Sequence, residues 1–321
     1  LMPVAIARRL LADRYDCIHA VEEAIYPALL AGKIARIPVI FDMQSSIAEQ
    51  LSLHPVIRHL RPWRPVSWLE RKAYAVSDSV VCSAGITQLF LEVDRSPRAR
   101  EWVFPGDDVV EKPCNDESLA DLLPIPAGRK VVTYAGNFER NQGIVLLMDA
   151  IPRIVREYPD VVFVLIGASE TKAKELTKAH AGLVDAGQLF IKPRQRRHFV
   201  QRCLGVSNIA VSPRTDGGNM PLKVFDYLAA GLPVVATDIP AHRSLDGKGL
   251  KLVDATPAAF VAGILALLSE PDALNQLREQ ARHTAAEELN WPAFRDQVAQ
   301  IYESFAASHA GPCLLYTSPS P

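Results

Sequence analysis

The chain has 321 residues, of which 49% are hydrophobic and 22% are charged, and its formal net charge at pH 7 is -1. This length allows two ordinary domains with separate cores, while the near-neutral charge argues against a nucleic-acid-binding protein. Five scattered cysteines without a C-x-x-C pair argue against a disulfide framework or a zinc site and indicate a reducing compartment, so we expect a cytoplasmic protein.

Short apolar strands alternate with amphipathic helices along the first third of the chain. Strands are predicted at residues 16–20, 37–43 and 79–83, and helices at residues 22–33, 68–76 and 87–93. Prolines and a glycine then interrupt the pattern, which predicts a linker over residues 113–128. The first domain therefore covers residues 1–112.

The same alternation resumes after the linker. Strands are predicted at residues 130–135, 161–167, 189–192, 209–212 and 234–237. Helices are predicted at residues 143–158, 171–184, 221–230, 257–268, 271–288 and 291–307. This order predicts an α/β fold of two doubly wound, Rossmann-like domains facing a cleft, with ligands outside the carboxyl ends of the strands. The second domain covers residues 129–290.

Both ends of the chain are unusual. The sequence begins within a helical pattern, so we expect the first strand of the first domain to be missing. Residues 308–321 have no periodicity and resemble a translated cloning adapter, so we predict a non-native tail there.

The most informative segment runs from Ser212 to Val235, where a strand enters a glycine-bearing loop and then a helix. Pro221 suits the first helical turn and Gly231 suits the end of the helix. Backbone N–H groups at such a helix start can hold a phosphate. Those groups belong to Gly217, Gly218, Asn219 and Met220. An ordinary tight turn is the alternative interpretation.

Asp226 favours the phosphate interpretation. At helical spacing, Leu222, Phe225, Asp226 and Ala229 share one stripe, and a carboxylate beside apolar residues is costly unless it is paired. The hydroxyl pair of a ribose is a suitable partner. The alternative is an ion pair with Lys223 on a solvated face. We favour the ribose because the preceding loop already indicates a diphosphate site.

This segment resembles the donor-binding signature of glycosyltransferase family 4, which comprises retaining enzymes with the GT-B fold. Members usually carry Glu-x7-Glu ending in Glu-Ala-Met-Ala-x-Gly-x-Pro-Val. Residues 226–234 (DYLAAGLPV) match the second half, with Asp226 replacing Glu, whereas the first Glu falls on Gly218. Residues 219–223 (NMPLK) are similar to a branch with Asn-Thr-Pro-Leu-Lys. The resemblance covers most of residues 16–307.

A second match lies in residues 134–143 (YAGNFERNQG). Family members often have Gly-Arg-Leu…Glu-Lys-Gly here, where Arg and Lys neutralise the donor diphosphate. Those positions are Asn137 and Gln142 in this chain, so we expect another cation, Arg140, Arg214 or Lys223, to replace them. An ordinary strand-to-helix turn is the alternative. The predicted donor-binding residues, from the resemblance and from the need for positive charge, are Gly136, Asn137, Arg140, Arg214, Gly217, Gly218, Asn219, Met220, Lys223 and Asp226.

Three other segments have weaker assignments. The resemblance places residues 192–195 (KPRQ) beside the base pocket, although a charged surface loop is an equal alternative. It places His19, Glu22 and Gln44 on the acceptor side, where many relatives carry His at the position of Gln44. A structural role is the alternative for His19. The resemblance also implies that the helix at residues 291–307 crosses back to the first domain.

A basic stretch with interleaved aromatic residues occupies residues 58–72. Such a composition can seat a protein on an anionic membrane surface, where lipid-linked acceptors reside. We favour the alternative, a solvated helix pair with core tryptophans. A peripheral position at the inner membrane face is therefore a secondary expectation.

The resemblance implies transfer of a sugar, with retention, from a nucleoside diphosphate sugar to a glycan, lipid-linked or small-molecule acceptor. We expect no cofactor and no metal, because no Asp-x-Asp signature follows a suitable strand. Two alternatives are a non-catalytic sugar-nucleotide or partner-binding subunit and a GT-B nucleotide-sugar epimerase. Because a first strand is expected to be missing, we also expect the chain as written to be inactive.

Overall fold

The computed structural model describes residues 6, 8–10, 12–53, 59, 63–82, 86, 99–101, 123–215, 217 and 221–306. The chain divides into two compact units, Leu1–Trp102 with Pro292–Pro321, and Val103–Trp291. Leu123 and Ile125, at the end of the predicted linker, are buried in the core of the second unit. The rest of that linker up to residue 122, the predicted helix at 87–93 and the predicted tail lie outside the described residues.

The first unit contains a parallel sheet in the order β1-β2-β3-β4. Its strands are β1 (Ile18–Val21), β2 (Val39–Met43), β3 (Ser79–Cys82) and β4 (Ala99–Glu101). Its first helices are α1 (Ile25–Ala35), α2 (Ile47–Leu53) and α3 (Trp63–Val76). The register pairs Val21 with Asp42 and Asp42 with Val81, which brings the carboxyl ends of the strands to one edge.

Two side chains from distant parts of the sequence complete this unit. Glu70 of α3 is buried, and its carboxylate accepts hydrogen bonds from the Ser46 hydroxyl at 2.8 Å and from the backbone N–H groups of Ile47 at 2.6 Å and Ala48 at 3.3 Å. It therefore caps the start of α2. Ile301 of the last helix packs with Ile40 and Val81 against the sheet.

The second unit contains a six-stranded parallel sheet in the order β10-β9-β8-β5-β6-β7. Its strands are β5 (Lys130–Ala135), β6 (Val161–Ala168), β7 (Leu189–Pro193), β8 (Ile209–Ser212), β9 (Val234–Thr237) and β10 (Leu250–Val253). Apolar clusters cover both faces, as expected for parallel strands with near-continuous apolar sequences. The strand order reverses between β5 and β8, so a crevice opens at their carboxyl ends.

The helices that follow are α4 (Ile144–Glu157), α5 (Glu170–Ala179), α6 (Ala181–Asp185), α7 (Arg197–Gly205), α8 (Leu222–Ala229), α9 (Pro240–Arg243), α10 (Pro257–Ser269), α11 (Pro271–Glu287) and α12 (Trp291–Ala306). Among the described residues, no single helix is long and apolar enough to cross a membrane. The pair α10 and α11 meets that test by length and composition only, with a bend of 99° between its members.

The α/β class with parallel sheets is confirmed, and β5, β8 and β9 have the predicted bounds. The single helix predicted over residues 171–184 is wrong, because the backbone leaves helical geometry at His180 (φ -119°, ψ 33°) and divides it into α5 and α6. The sequence pattern also missed α2, α7, α9, β4 and β10. Each of these is short, so its apolar periodicity covers too few residues to be distinguished from a loop.

Candidate functional site

A cavity of about 290 Å³ opens at the carboxyl edge of the second unit's sheet. The loop after β5, the ends of β6 and β7, and helices α7 and α8 line it. Four predicted donor-binding residues are brought together there: Gly136, Asn137, Lys223 and Asp226. Arg140 is exposed and does not line the cavity, whereas Gly218, Asn219 and Met220 lie outside the described residues.

Two buried tyrosines fix the loop after β5. Strands β5 and β8 pair at Val132 and Thr133 and then diverge. Beyond that point the Tyr227 hydroxyl accepts a hydrogen bond from Ala135 N at 2.7 Å and donates one to Ala135 O at 2.9 Å. The Tyr134 hydroxyl donates to the carbonyl of Asn137 at 2.6 Å. These two side chains tie α8 and the loop to the end of β5.

The glycines of this edge let backbone segments touch. A Cβ atom added at Gly167 (φ +116°) would lie 2.1 Å from the carbonyl oxygen of Gly136. A Cβ atom added at Gly143 (φ +69°) would lie 1.7 Å from the carbonyl oxygen of Pro213. Only glycine therefore allows the loop after β5 to pack directly on the end of β6 and on the loop after β8.

Lys223 of α8 lies on the wall of the cavity. Its Nζ donates hydrogen bonds to the Tyr134 hydroxyl at 3.2 Å and to Gln142 Oε1 at 2.5 Å, and lies 4.6 Å from the centroid of the Tyr134 ring. Burial, and then the nearby Arg214 charge, lower the pKa of Lys223 to about 7. The two hydrogen bonds hold the Lys223 side chain against the β5 loop, where its charged form would suit a diphosphate.

Arg214 follows β8 and is buried, with only 4% of the residue exposed. Its carbonyl accepts a hydrogen bond from the Thr237 hydroxyl. His242 reinforces this region, because its Nδ1 donates to the Thr237 carbonyl at 2.7 Å and its Nε2 accepts from the Ser212 hydroxyl at 3.0 Å. Burial lowers the pKa of His242 to about 4, so the imidazole stays neutral and keeps these roles. No sequence pattern indicated His242 as a support of Arg214.

Gly217 is the one described residue of the predicted phosphate loop between Thr215 and Pro221. It has a φ of +108°, and a Cβ atom added there would lie 2.0 Å from Nη2 of Arg214. The loop backbone therefore passes directly beside the guanidinium of Arg214. Gly217, a predicted donor-binding residue, thus lies next to the candidate cation Arg214, although Gly217 does not line the cavity.

Asp226 lines the cavity one turn after Lys223 and is half-buried. Burial raises the pKa of its carboxyl, and the charge of Arg197 lowers it. No ion pair joins Asp226 to Lys223 in the part of the chain that the structure describes, so the alternative predicted for Asp226 is absent. The carboxylate is thus available to a ligand in the cavity.

The predicted apolar stripe of α8 is wrong at Leu222, which is 64% exposed. The helix buries a different set, namely Val224, Phe225, Tyr227 and Leu228. Pro221 precedes the helix as its N-cap residue instead of entering the first turn. The predicted end is confirmed, because Gly231 (φ +68°) donates to Leu228 O at 2.8 Å, while Leu232 donates to Tyr227 O at 3.0 Å.

The loop after β7 forms the opposite wall of the cavity. Arg194 and Gln195 line it together with the apolar side chains of Val200 and Leu204 from α7. The Gln195 amide donates to the carbonyl of Pro193 at 3.2 Å, which fixes that side chain. An apolar wall next to amide and guanidinium groups suits a nucleobase.

The acceptor-side residues meet at the carboxyl edge of the first unit's sheet. Buried Asp42 accepts hydrogen bonds from His19 Nε2 at 3.2 Å and from the Gln44 amide. The other ring nitrogen of His19, Nδ1, lies 2.6 Å from the Tyr302 hydroxyl of α12. Because a carboxylate oxygen of Asp42 accepts, His19 donates through Nε2, and its Nδ1 faces the Tyr302 hydroxyl. Sequence reasoning missed Asp42 and Tyr302 as members of this cluster.

Glu22 lies beside this cluster, joined to the end of β2 through Ser45. The Ser45 hydroxyl donates to Glu22 Oε1 at 3.1 Å, and burial raises the pKa of the Glu22 carboxyl. The Gln50 amide donates to the same hydroxyl at 2.9 Å. The three predicted acceptor-side residues therefore lie at neighbouring strand ends, where a polar substrate could reach them.

Known proteins resemble the chain in sequence and in fold. Residues 129–270 match the family described as glycosyl transferases group 1. The phosphatidyl-myo-inositol mannosyltransferase of Mycobacterium tuberculosis is 26% identical over 312 residues, which span 92% of this chain and 75% of that protein. The alpha-maltose-1-phosphate synthase of Mycolicibacterium smegmatis is 26% identical over 280 residues, 77% of this chain and 71% of that protein.

Solved structures show the same fold at low sequence identity. HepE of Anabaena in complex with UDP superposes with a TM-score of 0.70 and 17% identity, covering 93% of this chain and 82% of that one. The sucrose-phosphate synthase of Thermosynechococcus elongatus has the same score and identity, with coverage of 96% and 78%. The chain is therefore a glycosyltransferase with the GT-B fold, and its residues 129–270 match the glycosyl transferases group 1 family.

Proposed function

We propose that the chain belongs to glycosyltransferase family 4 and transfers a sugar, with retention, from a nucleoside diphosphate sugar to an acceptor hydroxyl. The observation that carries this proposal is the cavity at the crevice beside β5. Its lining includes the Asp226 carboxylate, the Lys223 side chain and Gly136 in the loop after β5. Nucleotides bind doubly wound sheets at this topological position. The UDP complex of HepE supports the ligand class.

Each part of the donor has a matching group in the second unit. The Asp226 carboxylate accepts from the ribose hydroxyls, and the wall formed by Gln195, Val200 and Leu204 receives the base. The loops after β5 and β8 hold the diphosphate together with the nearby positive side chains. As the diphosphate leaves, those charges stabilise the negative charge that develops on it, without any further rearrangement.

Donor binding is the direct test of this assignment. Thermal unfolding should be measured with UDP-, GDP- and ADP-sugars, using wild type, Asp226→Ala and the exposed-site control Asp149→Ala. A bound donor raises the unfolding temperature of wild type and of the control, because it binds only the folded chain. Loss of that shift in Asp226→Ala supports the ribose contact, whereas equal shifts in all three proteins contradict it.

Turnover separates transfer from the alternatives. A donor that binds should lose its sugar to an acceptor or to water, and nuclear magnetic resonance of the product gives its anomeric configuration. An inverted product contradicts retention. Interconversion of epimers without an acceptor identifies an epimerase. Binding without any turnover agrees with a non-catalytic subunit and with the inactivity expected of the chain as written, and the same assay on a protein that contains the expected first strand separates these two.

We further propose that the enzyme is cytoplasmic and contacts the inner membrane face through an exposed surface of α1 and α3, here named the α1–α3 face. These helices are neighbours, and they expose the large apolar residues Leu30, Ile34, Trp68, Leu69 and Val76. Their exposed cations are Lys33, Arg64, Arg71 and Lys72, and exposed Arg36 directly follows α1. Their one carboxylate, Glu70, is buried.

This composition fits an anionic phospholipid surface. Trp68 carries the Lys72 ammonium 6.0 Å from its ring centroid, so an aromatic group and a cation are presented together. Aromatic and basic residues on one helix face are typical of interfacial binding, where each cation near the surface adds about 1 kcal/mol. The name of the mannosyltransferase relative indicates a lipid acceptor for that protein.

Sedimentation with vesicles tests the membrane contact. Wild type should sediment with phosphatidylcholine vesicles that contain phosphatidylglycerol, and not with pure phosphatidylcholine vesicles. Arg71→Glu with Lys72→Glu should abolish sedimentation, whereas Lys174→Glu with Lys178→Glu, on an exposed face of the second unit, should not. Equal binding of both double variants would exclude the α1–α3 face.

A further inference from the structure

The ammonium of Lys223 occupies a constrained position directly over Gly136 in the loop after β5. A Cβ atom added at Gly136 would lie 3.2 Å from Lys223 Nζ, which shows how closely the cation approaches the loop backbone. Gln142, 81 residues earlier in the chain, and Tyr134, 89 residues earlier, receive its two hydrogen bonds. These contacts fix the place of the charge on the cavity wall.

The hydrogen bonds of Lys223 leave its charge uncompensated. An ammonium group has three N–H donors, and two of them are used on the neutral oxygens of Tyr134 and Gln142. None of the ion pairs among the described residues includes Lys223. A half-buried cation with one donor remaining, beside a second cation at Arg214, favours a ligand with more than one negative charge.

We propose that Lys223 is the ammonium that binds the donor's diphosphate and that Gln142 is its positioning residue. The positive charge that residues 134–143 lack at positions 137 and 142 is thus supplied from α8. This inference rests on the proposed function, since it requires a nucleoside diphosphate in this cavity. Gln142 acts through Lys223, because its amide oxygen holds the ammonium over Gly136.

The same geometry makes donor binding depend on pH. Burial and Arg214 lower the pKa of Lys223 to about 7, so the free site holds a mixture of charged and neutral lysine near neutral pH. The titratable and charged groups around it are Tyr134 on β5, Arg214 after β8, Asp226 on α8 and His242 on α9. A bound diphosphate favours the charged form, so affinity should fall as pH rises from 6 to 9.

Calorimetric titration with UDP, GDP and ADP, and with their monophosphates, tests the assignment. Lys223→Met should weaken binding of the diphosphate that wild type binds by about 10- to 100-fold, as expected for one charge-assisted hydrogen bond. It should weaken binding of the corresponding monophosphate less. Lys223→Arg should still bind the diphosphate, and its affinity should not fall above pH 7, because arginine stays charged. The control Lys174→Met, at an exposed site, should behave as wild type.

Gln142 has a test of its own. Gln142→Leu should weaken diphosphate binding and change its pH profile, because it removes the acceptor that holds the ammonium. Moving the charge with Gln142→Lys and Lys223→Gln together should restore affinity relative to Lys223→Met. A double variant that binds no better than Lys223→Met would overturn the positioning role of Gln142.

The outcomes distinguish this inference from the proposed function. If wild type binds no nucleoside diphosphate, the proposed function fails. If wild type binds one and Lys223→Met binds it equally well, with a pH profile like that of wild type, the inference fails and the proposed function stands. Circular dichroism and thermal unfolding without ligand establish that each variant is folded.

Discussion

Replacing Tyr227 with phenylalanine should loosen the whole candidate site. At the point where β5 and β8 diverge, the Tyr227 hydroxyl takes the place of a neighbouring strand and satisfies both the N–H and the C=O of Ala135. Tyr227 is fully buried, so water cannot replace the lost hydroxyl. One buried donor and one buried acceptor without partners cost about 1–3 kcal/mol each, which gives about 2–6 kcal/mol for Tyr227→Phe.

Equilibrium unfolding in urea measures this loss of free energy. The matched control is Tyr158→Phe, at a half-buried tyrosine for which the described structure shows no hydroxyl hydrogen bond; it should stay within about 0.5 kcal/mol of wild type. Because α8 carries Lys223 and Asp226, Tyr227→Phe should also weaken donor binding. A Tyr227→Phe protein as stable as the control would refute the role assigned to this hydroxyl.

Three further predictions concern stability. Gly167→Ala should destabilise the second unit by about 2 kcal/mol or more in urea unfolding, because its Cβ would meet the Gly136 backbone at a positive φ; a change below about 0.5 kcal/mol would contradict the contact. His242 has a pKa lowered to about 4 in the folded chain, whereas its ordinary value is about 6.5. As pH falls from about 6.5 to 4, the unfolded chain therefore binds a proton that the folded chain does not, and the free energy of unfolding should fall by about 3 kcal/mol. His242→Gln should remove this pH dependence when urea midpoints are measured at several pH values. If the midpoints of His242→Gln fall with pH as those of wild type do, another group causes the dependence. Glu70→Ala should lower the free energy of unfolding of the first unit by about 1–3 kcal/mol through loss of the α2 cap, whereas exposed Glu175→Ala should have little effect; equal melting temperatures would contradict the capping role.

The sequence by itself determined the features that depend on neighbouring residues. Strands β5, β8 and β9 have the predicted bounds, because each is a short apolar run with turn residues near its ends. The end of α8 at Gly231 follows from the freedom of glycine at positive φ. The candidate donor segment, with Asp226 on a helix after the loop that contains Gly217, was likewise proposed before any tertiary contact was known.

Tertiary structure decided which of the candidate residues meet. The hydroxyl of Tyr227 reaches Ala135 across 92 residues, and the hydroxyl of Tyr302 reaches His19 across 283 residues. Leu222, which local periodicity placed on the apolar stripe, is exposed because the short helix α8 turns another face toward the sheet. Periodicity reports which side of an element is apolar, but it carries no information about strand order. The reversal of strand order between β5 and β8 opens the crevice, and this reversal brings Lys223 of α8 to Gln142 in the loop after β5.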